Sequence, residues 1–152
     1  MNTHIVVIPH STQRYNTVGD YWMRSGSQME VRISDFLPVT VNTGDKPYRE
    51  DESLSAVSLA NKYEFLVQMH EMIEAFLCRE AGISFADIDD FDMAFTGNGE
   101  PGDDENCPYR TQHKIATEIE KQLADAIGVN WDEYGKAVDQ LSGVTEQETK
   151  SI

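Results

Sequence analysis

The sequence predicts an α+β domain in which a small antiparallel β-sheet precedes three to four helices. Two observations carry this reading. In the first third, apolar residues come in short strand-length runs, some strictly alternating with polar ones; from about residue 54 they recur at helical spacing. The breaks between these runs are marked by glycine, proline and helix-capping residues. With 152 residues, 39% of them hydrophobic, the chain is long and apolar enough to bury one core. A single domain over 1–142 is expected, followed by a polar tail over 143–152.

Ile5-Val6-Val7-Ile8 reads as a first strand, closed by Pro9. Tyr21-Trp22-Met23 and Met29 to Ile33 read as two more, joined at Ser25-Gly26-Ser27 by a hairpin in which Gly26 takes positive φ. Met29, Val31 and Ile33 alternate with Glu30 and Arg32, which gives that strand one buried and one wet face. Residues 38–53, with Pro38, Gly44, Pro47 and the run Glu50-Asp51-Glu52, read as an irregular connection. A long helix has its core from Lys62 to Ala81 and stops at Gly82. Ser84, with Asp87 three residues on, opens a short helix to about Phe95. Glu100 to Asn106 reads as a solvated acidic turn set by Pro101 and Gly102, although its carboxylates are also available to a metal. Arg110 to Ile127 forms a third helix ended by Gly128, and Asn130 caps a fourth to Leu141.

The charge excludes several functions. There are 27 acidic and 12 basic residues, a net charge of −15. Residues 1–49 hold four acids and five bases, so the acidity belongs to the remainder. Such a chain lacks the basic surface that neutralises phosphates, so direct nucleic-acid binding and docking on anionic lipid are not expected. No apolar run is long enough to span a membrane, and the start has no basic lead of a secretory signal. Cys78 and Cys107 make no disulfide framework, which fits a cytoplasmic protein. Cys78 reads as core, whereas Tyr15, Tyr21 and Trp22 read as sheet packing.

The chemistry concentrates on two helices. On a wheel at about 100° per residue, His70 lies mid-stripe, with Leu66 and Leu77 on one side and Tyr63, Val67 and Ala81 on the other. Glu74, one turn on, shares that stripe, where a carboxylate is costly unless neutral, paired or bound to a metal. On the third helix, His113 and Glu120 project together at the margin of a face made by Ile115, Ile119, Leu123 and Ile127. A His/carboxylate set of this kind suits a divalent transition metal, with zinc the default. His70 and Glu74 are two ligands, and His113 or Asp92 supplies the third. A His–Glu pair hydrogen-bonded within the core is the structural alternative. Glu71 points about 100° away from His70, to the polar border of the stripe.

The run His70-Glu71-Met72-Ile73-Glu74 is thus H-E-x-x-E. It resembles the H-E-x-x-H helix of zincin-like metallohydrolases, with Glu74 in place of the second histidine and a β region before the helix. The resemblance implies a zinc-type, peptidase-like hydrolase: His70, Glu74 and His113 bind metal, Glu71 is the general base and Glu120 orients His113. The chain is also similar to uncharacterised phage and prophage proteins, through Gln13-Arg14-Tyr15, Val18-Gly19-Asp20, Tyr63 to Leu66, His70-Glu71, Glu100 to Asp104 and His113 to Glu120. That likeness implies residence in a host cytoplasm. It also opens the alternative of a non-enzymatic acidic interaction protein, a DNA mimic or inhibitor of a host defence enzyme. A metal-dependent phosphohydrolase using Glu71, Glu74 and Asp92 is a third possibility. His4 and His10 receive no role, and the substrate, host partner and oligomeric state are not readable from the sequence.

Overall fold

The structure, a computed structural model, describes residues 2–41 and 50–143, with the backbone alone for 50–54. Three strands, β1 (Asn2–Ile8), β2 (Gly19–Ser25) and β3 (Gln28–Ser34), form a sheet in the order β1-β3-β2. β2 and β3 make the expected antiparallel hairpin, but β1 pairs with β3 in parallel, with Ile5 opposite Val31 and Val7 opposite Ile33. The sheet is therefore mixed, a correction to the all-antiparallel expectation. Its cause is the excursion over residues 9–18, which carries the chain from one edge to the other before the hairpin returns to the centre. The hairpin turn also differs from expectation. Gly26 has no positive φ, and a register irregularity between Met23 and Ser25 shapes that end of the ladder instead.

Alternation along β3 and β2 puts Tyr21, Met29, Val31 and Ile33 into the core. Across that layer lies the long helix, preceded by a single turn, α1 (Leu37–Thr40); the long helix, α2, runs Glu50–Glu80. It begins well before Lys62, because Ala56 and Ala60 continue the buried spacing through Tyr63, Val67, His70, Glu74 and Cys78. Of the connection expected over 38–53, residues 42–49 lie outside the described residues, and 50–53 already belong to α2. Ala81, expected on the stripe, sits exposed beyond the helix end.

Gly82 ends α2 at φ +75°, with Ile83 N–H donating to Cys78 O at 2.9 Å. Helix α3 (Phe85–Ala94) starts at Ser84, whose Oγ accepts from Asp87 N–H. A short turn, Pro101–Asp103, precedes α4 (Arg110–Ala126), which packs along α2. Gly128, at φ +74°, ends α4; Asn130 caps α5 (Trp131–Ser142) through Glu133 N–H. Gly143 closes α5, and the polar tail from 144 onward lies outside the described residues. No helix among the described residues is long and apolar enough to cross a membrane.

Candidate metal centre

The His/Glu residues of α2 and α4 meet where the two helices pack. His70 and Glu74 are one turn apart on α2, and their side chains touch, Nε2 to Oε2 at 3.0 Å. From α4, His113 reaches the same point: its Nδ1 lies 2.8 Å from Glu74 Oε2 and 3.2 Å from His70 Nε2. Three ligand-type atoms thus form a triangle with edges of 2.8, 3.0 and 3.2 Å. Ligands on a tetrahedral zinc at about 2.05 Å stand about 3.3 Å apart, so this triangle is close to one face of such a site. All three residues are buried, His70 at 7% exposure and Glu74 at 4%, which demands that any charge among them be compensated.

The outward atoms fix the state of the inward ones. His70 Nδ1 faces Glu120 Oε1 at 2.8 Å, and Tyr134 donates to Glu120 Oε2 at 2.6 Å. Glu120 therefore holds His70, a correction to the expectation that it orients His113. The physical reason is helical phase, since Glu120 lies about two turns beyond His113 on α4 and there meets the Nδ1 side of His70 across the helix interface. His113 is instead held by the acidic turn, its Nε2 lying 3.2 Å from Glu100 Oε2 and 3.4 Å from Asp103 Oδ1. The turn, expected to be solvated with its carboxylates also available to a metal, is folded over the histidine. Gly102 permits this, because a Cβ there would fall 2.4 Å from the His113 ring. Glu74 uses its other oxygen to accept from Tyr21 at 2.7 Å.

Each imidazole N–H is best spent on its outer carboxylate, which leaves His70 Nε2 and His113 Nδ1 as lone pairs aimed at the Glu74 oxygen. Three acceptors then converge without a donor, and the gap calls for positive charge. The titration behaviour expresses the same demand. Burial would lower His70, but its bonds to Glu120 and Glu74 hold it well above the usual histidine range. Burial also opposes a charged His113, yet its bonds to Glu100 and Glu74 raise it to about 10. Glu74, despite the opposing effect of burial, is drawn down to about 2 by the two histidines. Either protons on the histidines or a divalent cation satisfies this cluster.

Glu71 stands apart from the triangle. It is half-buried and lines the cavity of about 350 Å³ onto which His70, Glu74 and His113 open. Burial and the neighbouring Glu74 charge push its carboxyl well above the ordinary range. Gly19, the first residue of β2, makes space for it: a Cβ there would meet Glu71 Cγ and Oε1 at 2.7 Å. Asp92, the other candidate for third ligand, lines the cavity but does not join the triangle. Tyr15 donates to its Oδ2 at 3.0 Å and Tyr109 to its Oδ1, and burial raises it to about 6 in spite of both bonds.

Sequence reasoning named the triangle and, in Glu120, one of its supports, though with the other histidine, and missed the tyrosines. Tyr21, expected to pack the sheet, does so and also binds Glu74, while Tyr15 reaches Asp92 instead of packing alone. Trp22 lies between the Arg14 and Arg32 guanidinium groups, at 4.3 and 4.2 Å. The only sequence signals for these supports were the glycines and the Glu-Pro-Gly-Asp turn, whose purpose is legible only beside the histidine. Comparison of the chain with models of protein families, with curated proteins and with solved structures finds no match.

Proposed function

We propose that the protein is a metal-dependent hydrolase that holds a divalent transition ion, zinc foremost, on His70, Glu74 and His113, with Glu71 as general base. The observation that carries this reading is the convergence of three buried ligand-type atoms whose residues are each fixed from outside: His70 by Glu120, Glu74 by Tyr21, and His113 by Glu100 and Asp103. A metal in such a site supplies Lewis acidity and lowers the pKa of a coordinated water. The protein's own part is then clear in role. Glu71, facing the cavity beside the triangle, accepts a proton from the attacking water; Glu120 and the acidic turn keep both imidazoles aimed inward. A small sheet preceding and packing under the His-Glu helix supports a zincin-like arrangement. The inward convergence favours this over a DNA mimic, which needs its acids strung along a surface at phosphate spacing.

The test is hydrolysis of peptide and ester panels by zinc-loaded wild type and Glu71→Gln, with metal affinity measured in parallel. The expected result is a chelator-sensitive activity that Glu71→Gln lacks while binding metal as wild type does. Undiminished hydrolysis by Glu71→Gln would refute its role.

A further inference from the structure

We infer that the cavity above the triangle takes an organic cation, a substrate carrying an ammonium or guanidinium group, and rejects phosphate esters and other anions. This rests on the reading of His70, Glu74 and His113 as a metal site and specifies what is bound beside it. The walls carry eight carboxylates and, among the described residues, no lysine or arginine. A divalent ion in the triangle offsets two of those charges. Arg14, outside the wall, neutralises Asp20 through bonds of 2.6 and 2.9 Å, and two more of its N–H groups go to Asp89 at 3.0 and 2.9 Å. Lys121 stands 5.6 Å over the Trp131 ring and is not part of the wall.

Glu100, Asp103 and Asp139 are left as charges in the wall, and the side chains of Glu100 and Asp103 are 56% and 74% exposed. Carboxylates in a partly enclosed cleft focus a negative potential that concentrates cations and repels anions. Trp131 and Tyr15 are also in the wall, and aromatic rings attract a cation and do not attract an anion. The position of Glu71 is built in, since Gly19 is bare where any side chain would strike it. A phosphohydrolase built here would have to bring a doubly charged substrate against this field with no lysine or arginine in the wall to receive it, and with both wall histidines engaged in the triangle. That field disfavours the phosphohydrolase reading. A peptide segment with a basic side chain or a free amino terminus fits instead.

The experiment uses zinc-loaded full-length protein and four probes that share one ring: benzylamine, benzyl alcohol, benzoate and phenyl phosphate. Binding is followed by calorimetry and by tryptophan fluorescence. Benzylamine is expected to bind at least about tenfold more tightly than benzyl alcohol, with the preference shrinking in about 0.5 M salt. Asp139→Asn is expected to weaken benzylamine about two- to threefold and leave benzyl alcohol unchanged. Benzoate or phenyl phosphate binding as tightly as benzylamine would overturn the proposal. So would a second divalent ion that occupies the cavity and shuts benzylamine out. Zinc binding is measured first and separately: its absence would sink the metal reading, whereas the probe series decides the cation.

Discussion

At the scale of single residues, Glu71 and Glu74 show how three positions on one helix separate two tasks. Glu74 is tied to both histidines and to Tyr21, whereas Glu71 lies across the cavity beside Gly19. Glu74→Gln is expected to lower zinc affinity by at least about tenfold, while Glu71→Gln leaves it within about twofold, as competitive titration with a chromophoric chelator will read. Asp92 offers an independent check by pH. Its carboxyl is raised from 3.8 to about 6, so the fold prefers it protonated. Below about pH 4 it is protonated folded or unfolded and costs nothing; as pH rises through the window up to about 6, the folded state loses stability. Asp92→Asn, which stays neutral and can still bond both tyrosines, is expected to be more stable than wild type by about 1–3 kcal/mol at pH 7. The difference is expected to vanish near pH 4 in chemical denaturation. An equal gap at both pH values would contradict the assignment.

At the scale of elements, α4 shows what the sequence revealed and what it hid. Its boundaries were legible, because Gly128 and Asn130 mark the end of one helix and the start of the next. Its buried face was misplaced. The isoleucines pointed to a core through Ile115, yet Ile115 is 39% exposed and the buried positions are His113, Ala116, Glu120 and Ala124. Hydrophobic periodicity assumes that polar residues face water; here two polar side chains are satisfied inside, by Glu74 and Glu100 for one and by His70 and Tyr134 for the other. The same limit hid the fit of the acidic turn over His113. Gly102→Ala would force a Cβ into the ring, so it is expected to lower stability by about 1–3 kcal/mol and weaken zinc binding as well. Ser84→Ala supplies the control: loss of the α3 cap is expected to cost about 1 kcal/mol and leave zinc affinity unchanged. Thermal melts with and without zinc, together with metal titration, separate the two variants.

At the scale of the whole molecule, local signals named a β third and a helical remainder, and the structure has both. They did not disclose that β1 runs parallel to β3, because strand direction across a sheet depends on the long path from residue 9 to 18 and not on any residue in either strand. The His/Glu triangle was legible for the opposite reason. His70 and Glu74 are related by helix geometry alone, and His113 and Glu120 lie on the helix that packs against them, where each meets a residue of α2. The architecture places the triangle among three elements, so ligand binding is coupled to the packing of α2, α4 and the acidic turn. The most direct test is zinc titration of wild type, His70→Ala and His113→Ala, with circular dichroism to establish that each is folded. The account predicts one equivalent bound by wild type, with melting temperature rising as zinc is added, and no binding at that site in either variant. Equal zinc content in all three folded proteins, or none in wild type, would contradict it.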